Sequence, residues 1–222
     1  MSKVFEQELG TLRREFTAYA SSCLTALERA SEALRDRNTA LGRQVIEGDD
    51  EVDEEEIHIE SECVRLLSLY QPVAHDLRLL VTILKMNYDL ERIADHATNI
   101  SWLGGRIVTR GGRVPSELLT LADRVVRGSR TVFQAFLDQD LQLARDVVSR
   151  DDEVDRLDRV VRHDVHANLS ADGEVSSALD VFRISRELER VGDHLANIAE
   201  ETIYLITGEI VRHHGGAAPA AR

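Results

Sequence analysis

Apolar residues recur at helical spacing along most of the chain. In residues 3–35 they follow three- and four-residue steps, from Leu9 and Leu12 to Leu34, which predicts a long amphipathic helix. The same pattern predicts five further helices, over about 40–69, 73–103, 116–138, 140–169 and 174–211. No run of alternating β-branched residues interrupts the pattern, so the sequence predicts an all-α fold.

Turn-forming residues divide these helices into two groups of three. Asn38 is suited to cap the second helix, Gly48 is a weak point within it, and Pro72 starts the third. Residues 104–115 hold four glycines and a proline and form the clearest linker. We therefore expect a three-helix bundle over 1–105, a linker over 106–115, a second three-helix bundle over 116–211 and a disordered tail over 212–222.

A twelve-residue stretch occurs twice and indicates an internal duplication. Residues 89–100 read Asp-Leu-Glu-Arg-Ile-Ala-Asp-His-Ala-Thr-Asn-Ile, and residues 187–198 read Glu-Leu-Glu-Arg-Val-Gly-Asp-His-Leu-Ala-Asn-Ile. Seven of the twelve positions are identical. A second pair of matching stretches, 49–53 and 151–155, lies in the middle helix of each predicted bundle. The chain is therefore two tandem copies of one unit.

Each copy of the repeated stretch carries a row of acidic and amide side chains. Glu91, Asp95 and Asn99 are one helical turn apart and lie about 140° from the middle of the apolar stripe, which places them on the outer face. The second copy repeats this row with Glu189, Asp193 and Asn197. We expect the two carboxylates of each row to face a second carboxylate pair on the neighbouring helix. These pairs are Asp49 with Asp53 and Asp151 with Asp155.

Crowded carboxylates favour a bound cation, although a second interpretation stays open. Like charges one turn apart repel by a few tenths of a kcal/mol per pair, and hard oxygen ligands suit magnesium, calcium, manganese or iron. His96 and His194 are positioned to add nitrogen ligands. The alternative is a solvated acidic face whose charges are paired with nearby arginines. These are Arg92, Arg150, Arg156 and Arg190.

The overall charge narrows the class of partner. The formal net charge of −13 argues against nucleic acid, because phosphate binding needs a basic surface, and favours cations or a basic partner. The N-terminal residues lack the apolar core of a signal peptide, and no run is long and apolar enough to span a membrane. We expect a cytoplasmic protein that reaches membranes only through partners. Cys23 and Cys63 are expected to be buried, reduced thiols.

The repeated stretches and the segment Pro-Val-Ala-His-Asp-Leu-Arg-Leu-Leu at 72–80 resemble the signature segments of the PhoU family. The resemblance covers about residues 3–211. It implies two three-helix bundles with metal clusters bound through Glu/Asp-x-x-x-Asp motifs. The implied ions are divalent or trivalent: iron, zinc, manganese, magnesium or calcium. The implied ligands are Glu91 with Asp95, Glu189 with Asp193, and their facing partners Asp49, Asp53, Asp151 and Asp155.

The resemblance also implies a function. Members of the family are cytoplasmic, often dimeric, negative regulators of phosphate uptake and of the phosphate-starvation response. They are thought to link the ATPase subunit of a phosphate ABC transporter to a sensor histidine kinase. This chain has His75 where the family usually has arginine, which removes one basic group from a partner contact.

Two alternatives to a metal-binding adaptor remain. One is a metal-free helical scaffold. The other is a carboxylate-bridged metalloenzyme, whose ligands are typically a Glu-x-x-His motif on each of two helices inside a bundle core. Glu55 and His58 form the only such motif, and the second repeat has no counterpart. The sequence therefore favours an adaptor without catalysis.

Overall fold

The structure is a computed structural model that describes residues 3–149, 151–168 and 175–211, without the side chains of 151 and 166–168. The described residues form α-helices and no strand, which confirms the all-α class. The helices are α1 (Lys3–Asp36), α2 (Thr39–Glu47), α3 (Asp49–Tyr70), α4 (Ala74–Thr109), α5 (Ser116–Asp138), α6 (Leu141–Ser149), α7 (Asp151–Asn168) and α8 (Val175–Thr207).

The middle helix of the first repeat is broken at Gly48. The pattern predicted one continuous helix over 40–69, and this continuity is wrong, because α2 ends and α3 begins at Gly48. The continuity predicted over 140–169 stays a prediction, since residue 150 lies outside the described residues. As predicted, Asn38 caps α2, because its side chain accepts a 3.1 Å hydrogen bond from the Leu41 amide. This break positions the acidic start of α3 against α4.

α4 extends six residues beyond its predicted end near 103, so 106–109 of the predicted linker are helical. Gly104 lies against α1, where an added Cβ would meet Leu34 at 3.3 Å. Arg106 and Arg110 then reach the buried carboxylate of Asp180 on α8, at 3.3 and 2.7 Å. These ion pairs stabilise the last turn of α4. The wider division into repeats, linker and tail stays a prediction, and 212–222 lie outside the described residues.

One hydrophobic core runs through both repeats. Buried apolar residues from α1, α3 and α4 join those from α5, α7 and α8 in a single cluster. α4 and α8 make the most extensive contact between any two helices, and Phe16 packs edge-to-face on Phe136 with ring centroids 5.5 Å apart. The two third helices, which carry the repeated stretches, therefore form the centre of the molecule.

The structure bears on two predictions from the sequence, that the cysteines are buried and that no segment spans a membrane. Cys23 and Cys63 are buried, free thiols, and burial raises the pKa of each to about 12. Both thiols are therefore protonated and unreactive at neutral pH. Within the described ranges, every helix is too short or too polar to cross a lipid bilayer.

Candidate metal face and inter-repeat contacts

The first repeat brings its four predicted carboxylates together at the start of α3. Asp49 and Asp53 on α3 face Glu91 and Asp95 on α4, close enough for their charges to act on one another. The Thr98 hydroxyl donates a 3.0 Å hydrogen bond to Asp49, which fixes the start of α3 on α4. We call these four residues the acidic patch.

Burial and like charge both disfavour ionisation in the acidic patch. The Glu91 side chain is only 17% exposed. Its burial and the neighbouring charge of Asp95 raise its pKa to about 7, against the opposing charge of Arg92. Burial also raises the pKa of Asp49, and Asp53 and Asp95 raise it further, although the Thr98 hydrogen bond lowers it. The outward-facing row predicted from sequence is thus partly buried at Glu91, and all four residues of the patch are acidic.

Arg92 supplies part of the missing charge, as the alternative interpretation of the row expected. Its guanidinium lies 2.7 Å from Asp95 and 3.0 Å from Glu91, and it also stacks on the Tyr88 ring at 5.1 Å. One arginine therefore contacts two of the four carboxylates. The shift that remains in the pKa of Glu91 shows that this single cation does not neutralise the patch.

The second repeat differs because arginines pair with its carboxylates. Glu189 accepts a 2.9 Å hydrogen bond from Arg186. The buried Asp158, which is the counterpart of Glu56, contacts Arg162 at 2.6 Å and the Ser185 hydroxyl. Of the predicted ligands, Asp155 and Asp193 are exposed, and the side chain of Asp151 lies outside the described residues. Convergence of all four carboxylates is therefore described for the first repeat only.

The chemistry of the acidic patch fits a hard metal ion. Its donors are carboxylate oxygens, which magnesium, calcium, manganese and iron prefer, and a cation would relieve the repulsion that raises the pKa of Glu91. In the described part of the chain, no group of three or more His, Cys, Asp or Glu side chains is already arranged as around an ion. The eight ligands predicted from sequence stay a prediction.

The histidines that the sequence offered as additional ligands instead join the two repeats. His96 Nδ1 lies 2.6 Å from Glu187 of the second repeat, and His194 Nδ1 lies 2.8 Å from Asp89 of the first. Asn99 and Asn197, the third members of the two rows, donate to the same carboxylates at 3.4 and 3.1 Å. We call Asp89–His194 and Glu187–His96 the inter-repeat pairs. They are related by the duplication.

The inter-repeat pairs hold charge in the centre of the molecule. Asp89 and His96 are buried, and the two imidazole rings lie 5.6 Å apart. Burial disfavours ionisation of Glu187, but His96, Arg190 and Asn99 outweigh it, so the pKa of Glu187 is lowered. The acids of these pairs were missed from sequence. The available signal was that an acid begins both copies of the stretch, seven residues before the histidine.

Comparison with known proteins identifies the family. The model of the PhoU domain matches the chain twice, over 17–102 and 118–202. A PhoU homologue from Pseudomonas putida, named a phosphate-specific transport system accessory protein, is 35% identical over 97% of this chain and 85% of its own. The crystal structure of PhoU from Pseudomonas aeruginosa superposes with a TM-score of 0.88, at 34% identity, over 92% of this chain and all of that one.

A second crystal structure, of the phosphate transport system regulatory protein PhoU from Streptococcus pneumoniae, shares the fold. Its TM-score is 0.87 at 24% identity, over 94% of this chain and all of that one. The duplicated bundles, the repeated motif at their contact and both domain matches lead to one conclusion. This chain belongs to the PhoU family.

Proposed function

We propose that this protein is a negative regulator of phosphate uptake and of the phosphate-starvation response. In this proposal it is a cytoplasmic, homodimeric adaptor without catalysis, and it links the ATPase subunit of a phosphate ABC transporter to a sensor histidine kinase. The observation that carries the proposal is the PhoU domain match in both repeats. The names of its relatives place them in the phosphate-specific transport system as accessory proteins.

A metal ion at the acidic patch is the second part of the proposal. Asp49, Asp53, Glu91 and Asp95 are the ligands proposed in the first repeat, and the counterparts are Asp151, Asp155, Glu189 and Asp193. A bound divalent or trivalent ion supplies the positive charge that the first-repeat patch lacks. It cross-links α3 to α4, so that the surface offered to a partner depends on metal occupancy.

The inter-repeat pairs connect this surface to the rest of the protein. Asp89 is two residues before Glu91 on α4, and Glu187 is two residues before Glu189 on α8. Each candidate metal row thus lies close in sequence to side chains that bind the other repeat. Any movement of α4 on metal binding is transmitted to α8 through buried charges, which tolerate little separation.

Metal binding is tested by titrating chelator-treated protein separately with Mn²⁺, Fe²⁺, Fe³⁺, Zn²⁺, Mg²⁺ and Ca²⁺. The readouts are the melting temperature and, after dialysis, elemental analysis. We expect a saturable rise in Tm that Glu91→Gln/Asp95→Asn removes. The same titration of Glu189→Gln/Asp193→Asn tests the equivalent proposed ligands of the second repeat. Absence of any bound metal and of any thermal shift in the wild type would refute the metal part of the proposal.

The adaptor function is tested by pull-down from cell lysate with and without chelator, followed by mass spectrometry. Wild type is compared with a folded variant in which Glu91, Asp95, Glu189 and Asp193 are all alanine. We expect the wild type to recover a transporter ATPase or a sensor kinase, and the variant or chelator to abolish recovery. Equal recovery by both would leave an adaptor that does not depend on metal. Recovery of neither protein would favour the metal-free scaffold.

A further inference from the structure

The first repeat contains an open polar groove beside the acidic patch. It lies between α1, the α2–α3 break and α4, and has a volume of about 330 Å³. Ser22 and Thr25 form one wall, and Asp49, Glu51 and Glu55 form another. Glu51 and Glu55 are one turn apart on α3 and are exposed. We call this the first groove.

The second repeat has an equivalent groove between α5, α6, α7 and α8. The two sets of lining residues correspond through the duplication, as in Val52 with Val154 and Ala94 with Gly192. The equivalent volume is only about 70 Å³. The same structural feature is therefore present twice, but it is wider in the first repeat than in the second.

An arginine distinguishes the two grooves. Arg124 of α5 is mostly buried in the second groove, where its Nε donates a 2.8 Å hydrogen bond to Glu153. The counterpart of Glu153 is Glu51, and the counterpart of Arg124 is Ser22. The first groove thus keeps the carboxylate but has a hydroxyl where the second has a guanidinium. The second repeat shows directly which group this geometry accommodates.

The arginine that does line the first groove lies elsewhere. Arg29 is seven residues, or two helical turns, from Ser22 along α1, which is about 10 Å along the axis. Among the described residues, no ion pair joins Arg29 to Asp49, Glu51 or Glu55. The carboxylates of the first groove have no internal counterpart of Arg124.

We propose that the first groove is the docking site for an arginine side chain from a segment of a partner protein. The guanidinium takes the position beside Glu51 that Arg124 takes beside Glu153, and Ser22 and Thr25 contact the arginine stem. A planar guanidinium suits this place because it binds carboxylates with two parallel hydrogen bonds. The inference rests on the proposed adaptor function, for which it names the chemistry of one partner contact.

The test uses the full-length, ¹⁵N-labelled protein in the presence of chelator. The probes are the blocked tripeptide acetyl-Ala-Arg-Ala-amide and the same peptide with citrulline, which is nearly isosteric and uncharged. We expect the arginine peptide to cause saturable chemical-shift changes at amides around Thr25 and Gly48, and the citrulline peptide to cause none. Glu51→Gln/Glu55→Gln should abolish the changes.

Exchanging the distinguishing residue between the repeats makes the test specific. Ser22→Arg provides the first groove with its own guanidinium and should eliminate peptide binding there. Arg124→Ser opens the second groove and should create a new set of saturable shifts around Glu153. Circular dichroism checks that both variants fold, and the exposed position of Ser22 makes the first substitution tolerable.

Three results would overturn the proposal: equal shifts with citrulline, binding that persists in Ser22→Arg, or shifts spread over the acidic surface without a maximum at the groove. Metal titration of the same samples separates this outcome from failure of the proposed function. Metal binding without peptide binding would refute the groove alone, because Glu51 and Glu55 are not among the proposed metal ligands.

Discussion

The two repeats share a backbone plan but balance charge differently. α3 of the first repeat carries nine carboxylates and one arginine, Arg65. α7 of the second carries six carboxylates and three arginines. Two of these arginines, at 159 and 162, lie where the first repeat has Ile57 and Glu60. The two copies share most acidic positions of the middle helix, and the second copy has arginines where the first has none.

This difference teaches that equivalent acidic motifs need not have the same capacity to bind cations. In the first repeat, burial raises the pKa values of Glu91 and Asp49, and neighbouring carboxylates raise them further. In the second, Arg186 pairs with Glu189 and Arg124 with Glu153. The first repeat therefore has the stronger demand for cations from outside, and five predictions test how far the two repeats differ.

The largest difference should come from the buried acid of the middle helix. Asp158→Asn removes a carboxylate that is only 1% exposed and that contacts Arg162 at 2.6 Å and the Ser185 hydroxyl, and losing these hydrogen bonds to a charged group costs about 3 kcal/mol. Its counterpart Glu56 has its pKa raised by burial and by Glu60 and Asp53, so Glu56→Gln should cost little or stabilise. Urea unfolding at pH 7.5 measures both, and equal losses would remove the asymmetry.

The inter-repeat pairs should give the next largest effect, and here the repeats should behave alike. His194→Ala leaves Asp89 without its main partner, and losing a hydrogen bond to a buried charge costs about 2 kcal/mol. His96→Ala should cost a similar amount through Glu187. A double-mutant cycle with Asp89→Asn and His194→Gln should show coupling between the two residues. Purely additive losses of unfolding free energy would contradict this pairing.

Helix packing in the second repeat should be less tolerant of an added methyl group. An added Cβ at Gly192 would lie 2.9 Å from the buried side chain of Val154, while the first repeat already has Ala94 at the matching position. Overpacking outweighs the gain in helix propensity, so Gly192→Ala should cost about 1 kcal/mol. Adding Val154→Ala should make the glycine substitution less costly. If Gly192→Ala raises Tm in the wild-type background, the close contact is not limiting.

The smallest effect should depend on pH. The pKa of Glu91 is raised from 4.5 to about 7 in the folded state, so the folded state binds more protons and its stability falls as pH rises between these values. Allowing for solvent screening, Glu91→Gln in chelator should recover up to about 1 kcal/mol at pH 8. Glu189→Gln instead loses its pairing with Arg186 and should not stabilise. Urea unfolding from pH 5 to 8 tests both.

The pKa of Glu187 shifts in the opposite direction to that of Glu91, so its effect on stability provides an internal check. Its pKa is lowered in the folded state, so the stability that it contributes is present above its unfolded pKa and is lost as pH falls through the folded one. Glu187→Gln should therefore weaken the loss of stability in acid. If the variant and the wild type lose stability in parallel below pH 4.5, the His96 contact does not stabilise the ionised acid.

Periodicity and repetition in the sequence were sufficient for the helical class, the duplication and the family. They also indicated which carboxylates share a helix face, because positions such as Glu91 and Asp95 are fixed by the helical period alone. The break in the second helix was signalled only by Gly48, and the end of α4 depended on an ion pair with Asp180 that local sequence does not encode.

The tertiary structure decided which repeat each polar side chain contacts. By sequence, Asn99 belongs to the acidic row and His96 lies beside it, yet both bind Glu187 of the other repeat, because α4 and α8 pack against each other. The difference between the two grooves likewise depends on Arg124 reaching Glu153 from another helix. Sequence determined the helices and their acidic faces through local periodicity, whereas partner choice and burial arose from long-range packing.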